Sequence, residues 1–396
     1  MHTVVPDDAV RIGEPFTEEH ESLRGAVRRW AEDEIAPNAE QWEADEWFPD
    51  EVFRRAGELG FLGLTVPERY GGQGGDYWST VVRAEELARG RSGSVSMALA
   101  VQSDMATPPI LKFGTEQQKQ DYLVPSVTGE KIACLGITEP EAGSDVARIR
   151  TRAQRVSDGW VINGSKMFIT NGVRADYCTM VVRTSPADEG DGLGWSGISL
   201  FLVDTDLDGF HVSRKLDKVG MRASDTAELS FTDLHVPDTA LLGTEGQGFK
   251  QIMWELQGER LISAIGAVAG AQFMFERGLE YSRQRHAFGR PIGSFQVQKH
   301  RLMDIATRVG ASRRLVYEAC DRWNRGEYAI NEVAMVKLDT AQLSFWVADE
   351  VMQLFGGYGY SQEFPIERAW RDSRLMRIGG GTDEVQREII SKLMGL

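Results

Sequence analysis

The chain has 396 residues, 42% of them hydrophobic and 26% charged, and a formal net charge of −15. That length accommodates two or three domains or one layered fold, in the composition of an ordinary soluble globular protein. The negative charge argues against general nucleic-acid binding, which needs a basic footprint, but not against a polyanionic small ligand held by a few local cations. No apolar run approaches the roughly 18 residues of a membrane span. Residues 1–21 are acidic and lack the basic and apolar regions of a signal peptide, so a cytoplasmic location is expected. Cys134, Cys178 and Cys320 stand far apart without CxxC spacing. They read as reduced core residues rather than a disulfide framework or a zinc site.

In chain order, residues 17–133 carry helical periodicity, as in Leu23, Val27, Trp30 and Ala31, broken by turns at Pro37, Pro49, Pro67 and Gly71–Gly75. Residues 134–240 change character. Trp160–Ile162, Lys166–Thr170, Tyr177–Val182, Ile198–Val203 and Ala227–Phe231 are short, rich in β-formers and bounded by Gly, Asn or Asp. Between them, Thr184–Trp195 is rich in Gly and acidic residues and reads as a mobile surface loop. From Gly246 long helical patterns run almost to Leu396. The expectation is an α+β chain with an N-terminal helical domain (1–133), a central β domain (134–245) and a C-terminal helical domain (246–396). Strands and helices do not alternate, so a Rossmann-type parallel sheet is not expected. The Gly clusters at 72–74, 246–248 and 357–359 each lack the third glycine of a dinucleotide-binding loop.

Four segments carry candidate chemistry. The first, Gly136–Asp145, begins as an apolar strand and ends as a polar turn. Thr138 and Ser144 offer hydroxyls and Gly143 permits close backbone approach, as the edge of a heterocycle or a pyrophosphate would require. A strand followed by a plain Asp/Gly turn has the same composition. Next, Arg283–Ile292 reads as a cation-rich helix end closed by Gly289 and Pro291, where Arg285 could grip a pyrophosphate in two-pronged fashion or simply complement the helix terminus. In the third, Glu259 shares a helical face with Ile252, Leu256, Ile262, Ser263 and Gly266. A lone carboxylate on such a stripe is costly to bury unless it is salt-bridged or solvated, and a raised proton affinity suits a base. The fourth is the run Ile378–Glu384, with three glycines at 379–381. Met97, Val101 and Met105 share a predicted helix and suit either a pocket floor or plain core.

These segments, taken with Asn163–Gly172 and Gln353–Glu363, resemble the signatures of the acyl-CoA dehydrogenase family in the family's order, from Trp30 to Ile390. The resemblance implies a fold of N-terminal helical domain, central β-barrel-like domain and C-terminal four-helix bundle, and FAD as cofactor. It implies flavin contacts from Leu135, Ile137, Thr138, Gly143 and Ser144, and from Phe168, Ile169 and Thr170. Arg285, Phe288, Gln296, Gln353, Leu354, Gly356, Gly357, Thr382 and Glu384 would serve the rest of FAD, with residues 353–357 at the adenine end, often on a neighbouring subunit. Arg148 departs from the small residue usual at its position.

Many members place a catalytic Glu directly before the final Gly-Thr, where this chain has Gly380. Long-chain and isovaleryl-CoA dehydrogenases instead carry the base on the mid-chain helix, directly before an Arg. Glu255–Leu261 is similar to that arrangement, which implies Glu259 as the base that removes the α-proton and Arg260 as its companion. Ser144, Gln257, Gly380 and Gly381 would meet the substrate, Gly380 through its backbone N–H. Ala271–Glu276 and Asp225–Phe231 resemble the long-chain branch. The implied activity is α,β-desaturation of a long-chain or branched acyl-CoA to a trans-2-enoyl thioester, with electrons passing to an electron-transferring flavoprotein from a homotetramer or at least a dimer. An acyl-CoA oxidase, a dehydrogenase acting on an acyl carrier protein, and a non-catalytic FAD-binding paralogue are the rival readings.

Overall fold

The computed structural model describes residues 15–186 and 194–396. Most of the Thr184–Trp195 segment, and the first 14 residues, lie outside the described residues. Eight helices come first: α1 (Glu18–Trp30), α2 (Ala39–Asp45), α3 (Glu51–Glu58), α4 (Tyr77–Leu87), α5 (Gly93–Ala100), α6 (Pro108–Phe113), α7 (Glu116–Gln118) and α8 (Val124–Val127). Thr17 opens α1 with a capping box, its side chain accepting from the His20 backbone, and Asp76 caps α4 by accepting from the Trp78 N–H at 3.0 Å. Val27, Trp30 and Ala31 are buried, as the periodicity predicts.

The middle of the chain forms one eight-stranded sheet from β1 (Ala133–Gly136), β2 (Arg152–Val156), β3 (Gly159–Thr170), β4 (Tyr177–Arg183), β5 (Ile198–Asp204), β6 (Phe210–Lys215), β7 (Thr226–Val236) and β8 (Leu241–Leu242). Its path runs β6-β7-β3-β2-β4-β5-β8, with β1 parallel to β4, so the hydrogen-bonded ladder has two ends. Residues 177–182 and 198–203 are buried without interruption because both faces of β4 and β5 are covered. The two short strands expected within 160–170 are one long strand, kept paired to β7 by bulges between Ile162 and Gly164 and between Lys166 and Ile169. At Gly164 the chains come so close that a β-carbon would sit 2.6 Å from Thr151 Cα. Strands β2 and β6 carry little apolar alternation on their exposed faces, which hid them in the sequence.

Three long helices follow: α9 (Gly248–Gln284), α10 (Gln296–Asn324) and α11 (Ile330–Phe355), then α12 (Ile366–Ser373) and α13 (Asp383–Leu393). A small hairpin, β9 (His286–Ala287) with β10 (Arg290–Pro291), joins α9 to α10. The expected closure of α9 by Gly289 and Pro291 is therefore corrected. The helix ends at Gln284, and Gly289 (φ +75°) instead serves the hairpin turn together with Phe288 (φ +52°).

Helix α9 positions everything that follows. Ile252 and Leu256 pack with Leu200, Leu202 and Leu242 of the sheet. From Leu261 onward the helix packs instead with Ile305, Val309, Leu343 and Val347 of α10 and α11. The switch from one core to the other falls between residues 256 and 261, which places Glu259 at the junction. Among the described residues no helix is long and apolar enough to cross a membrane.

Candidate functional site

Glu259 is half-buried at that junction and accepts no hydrogen bond among the described residues. Burial pushes its carboxyl above the ordinary range, opposed by the charges of Arg260 and Lys337. It is not a lone carboxylate, as the sequence suggested. Glu255, one turn earlier, is 2% exposed, and both its oxygens lack partners. Burial, and then the charge of Glu259, push Glu255 well above its usual range, against the pull of Arg260. Two acids one turn apart cannot both ionise cheaply, so a charge on Glu259 favours the neutral form of Glu255.

Opposite Glu259 lies the triple-glycine turn. Arg260 Nε donates to the Gly380 carbonyl at 3.1 Å, Gln386 Nε2 donates to the carbonyls of Gly380 and Gly381 at 3.2 and 3.1 Å, and Lys337 Nζ donates to the Gly381 carbonyl. Gly380 and Gly381 have φ of +66° and +97°, a region that favours glycine. The Gly380 N–H makes no hydrogen bond among the described residues and is free to meet a ligand. Lys337 is 1% exposed, and burial pulls its ammonium down to about 8 against the charges of Asp383 and Glu259. Sequence reasoning missed Lys337, Gln386 and Glu255. The signal for Lys337 was available: it is a single cation among Val333, Ala334, Val336, Ala341 and Leu343, all buried.

An apolar cavity walled by α4, α5, α9, α11 and α12 begins one turn beyond Glu259, at Ile262 and Ser263. Its lining includes Ile262, Ser263 and Gly266 of the face predicted around Glu259, and Met376 just before the glycine turn. Met97 and Met105 also line it, whereas Val101 turns into the bundle core. Gln257 does not reach the cavity: its Nε2 donates to the Met253 carbonyl of its own helix at 3.2 Å.

The predicted flavin residues fall into three groups. Residues 135–144 and 168–170 are brought together by the Met167 N–H donating to the Thr138 carbonyl at 2.8 Å. Beneath them, fully buried Lys166 donates to the Ile137 carbonyl at 3.0 Å and to Glu139 at 2.8 Å. Burial raises the Glu139 acid, but Lys166 and donors from Thr151 and Arg150 outweigh it and leave it below its usual range. Leu135, Thr138 and Thr170 are half-buried, Ile137 and Ile169 buried, and Gly143 and Ser144 exposed. Phe168 is 67% exposed with φ +63°, an aromatic ring turned outward at a bulge. Arg148 pairs with Asp145 at 3.1 Å in solvent.

In the second group, Arg285, Leu354, Gly356 and Gly357 line one shallow cleft with Tyr281 and Tyr358. A β-carbon at Gly356 or Gly357 would meet nothing within 4 Å. Phe288 is 95% exposed beside Phe295, while Gln296 and Gln353 are also exposed nearby in sequence. In the third group, Thr382 caps α13, accepting from the Val385 N–H at 3.3 Å, with Glu384 exposed in its first turn. Apolar rings and open glycine backbone in strained, outward-facing positions fit a large planar group with a phosphate tail, as FAD would present. The three cysteines are buried thiols, and no cluster of metal-ligating side chains occurs among the described residues.

Comparison with known proteins bears on this arrangement. The chain matches the family models of the acyl-CoA dehydrogenase N-terminal domain over residues 17–130, middle domain over 134–234 and C-terminal domain over 246–395. It is 38% identical over 388 residues to the mitochondrial long-chain specific acyl-CoA dehydrogenase of Mus musculus, covering 97% of this chain and 88% of that protein. A crystal structure of acyl-CoA dehydrogenase from Geobacillus kaustophilus superposes with a TM-score of 0.92 at 40% identity, covering 97% of this chain and 100% of that one. The FAD complex of PigA superposes with a TM-score of 0.92 at 28% identity, over 97% and 100% of the two chains. With three family domains matched in order and a relative of this similarity along nearly its whole length, the chain belongs to the acyl-CoA dehydrogenase family.

Proposed function

We propose that the protein is an FAD-dependent acyl-CoA dehydrogenase that uses Glu259 as its base and acts on a long-chain acyl thioester. The observation that carries this reading is the half-buried carboxylate of Glu259, its proton affinity raised by burial, set directly against the Gly380 turn, with an apolar cavity beginning one turn further along α9. Glu259 takes the α-proton of the thioester. The free N–H of Gly380 donates to the thioester carbonyl, where negative charge develops as that proton leaves. Arg260, Lys337 and Gln386 hold the turn in place, and Glu255 stays neutral behind the base. Bound FAD supplies the acceptor for the β-hydride, so the substrate loses one proton and one hydride and gains a double bond. Leu135–Ser144, Phe168–Thr170, Arg285, Phe288, Gln296, residues 353–357, Thr382 and Glu384 would hold that cofactor.

The exposure of Phe288 and Tyr360, 95% and 88%, supports assembly with further copies of the chain, as a homotetramer or at least a dimer. Electrons then leave to an electron-transferring flavoprotein. The test is anaerobic titration of the purified yellow protein with acyl-CoAs of graded length and branching. Bleaching of the flavin is the expected result; a flavin that no acyl-CoA reduces overturns the reading. Rapid recolouring in air with release of peroxide would reassign the protein as an oxidase.

A further inference from the structure

Two glycines of α9 are unexplained by helix formation or by packing. Each glycine in a helix interior costs roughly 1 kcal/mol relative to alanine. Gly278 has a packing reason, because a β-carbon there would press on Leu354 and Val351 at 3.3 Å. Gly266 and Gly270 have none: a β-carbon at either would meet nothing within 4 Å, and both line the cavity beside Glu259. Any side chain at these positions would project into empty space. Their absence makes that space.

The spacing sets a scale. Residues 259, 263, 266 and 270 lie on one face of the helix. At 1.5 Å per residue, Gly266 stands roughly 10 Å and Gly270 roughly 16 Å beyond Glu259. The lining continues to Met274. An extended hydrocarbon with bonds near 1.5 Å advances roughly 1.3 Å per carbon. Counting from an α-carbon at Glu259, Gly266 therefore lies beside about the tenth acyl carbon and Gly270 beside about the fourteenth. Met97, Met105, Met221, Met274 and Met376 line the same space, and their flexible thioethers suit an unbranched chain of variable conformation.

We propose that Gly266 and Gly270 are chain-length determinants that open the cavity to straight acyl chains of about 14–16 carbons. This rests on the proposed dehydrogenase reading and names its substrate class. The test compares wild type with Gly266→Leu and Gly270→Leu, both favourable to the helix, on saturated acyl-CoAs of 6, 12 and 16 carbons. Both flavin bleaching and binding of the matching non-oxidisable 3-thia-acyl-CoAs are followed. Gly270→Leu should lose at least about tenfold in kcat/KM and in affinity for the 16-carbon chain, and stay within about threefold of wild type at 12 and 6. Gly266→Leu should lose both longer chains and keep the 6-carbon one. Equal losses at every length, or undiminished 16-carbon binding in both variants, overturn the length assignment. If the two variants change 3-thia binding in this pattern, yet the wild type is bleached by no substrate, the dehydrogenase reading is overturned and the length assignment stands.

Discussion

Gly380 stands directly against Glu259: a β-carbon built on it would lie 3.4 Å from the carboxylate oxygen Oε1. The same carbon would be 3.8 Å from Lys337 Cε and 3.9 Å from Arg260 Cγ. A carboxylate reaching out from position 380 and one reaching out from position 259 would compete for one space. The chain fills it from the helix and keeps glycine in the turn.

Glu259→Gln should therefore retain FAD and bind acyl-CoA while losing the bleaching step by at least about 10²-fold, the usual scale of a general base. Anaerobic rapid-scan absorbance measures this directly. Bleaching at the wild-type rate would assign proton removal to another group.

Placing Glu at 380 in the Glu259→Gln background should restore part of the lost bleaching rate. Recovery should be incomplete, because φ +66° costs a non-glycine residue about 1 kcal/mol or more. Thermal unfolding should show that cost in the Gly380→Glu single variant too. A double variant no faster than Glu259→Gln would place the two side chains on different substrate atoms.

The pH profile follows from the raised carboxyl of Glu259. The base form exists above its shifted pKa and is lost as pH falls through it, so kcat/KM should show an acidic limb displaced upward from the normal carboxylate range. Lys337, charged below about 8, opposes that displacement. Lys337→Met should move the limb to higher pH, and Lys337→Arg should move it back. An unmoved limb in Lys337→Met, with Glu259 still required, would show that the ammonium does not act on the base.

Lys166→Met should separate folding of the flavin shelf from chemistry. The substitution strands Glu139 in the interior with only the N–H donors of Arg150 and Thr151, and breaking a buried pair in this way costs roughly 3 kcal/mol. The expected outcome is a lower melting temperature together with FAD lost on gel filtration. Unchanged FAD retention would mean that Lys166 does not hold the Thr138 and Phe168 segments together.

Local pattern carried a great deal here. The helical, sheet and helical succession is written in periodicity and turn residues, because each element must bury one face and so repeats at its own period. The Gly-Gly-Gly run and the acid on an apolar helical face are linked in the sequence only by the family resemblance, in which the base stands at one place or the other. What local pattern could not carry is distance. Glu255 reads as an ordinary charged residue until folding removes its water, and Lys337, a lone cation in an apolar stretch, gains its partners only when α11 is brought against α9 and the glycine turn. The resemblance assigns Phe168 and Phe288 to the flavin, but that a bulge and a hairpin turn both rings outward is seen only in the fold. Gly266 and Gly270 are weak helix residues in the sequence, and become the walls of a cavity only when four other helices close around α9. Burial and empty space belong to pairs of segments far apart in the chain, so their electrostatics and their volumes are fixed only in the folded protein.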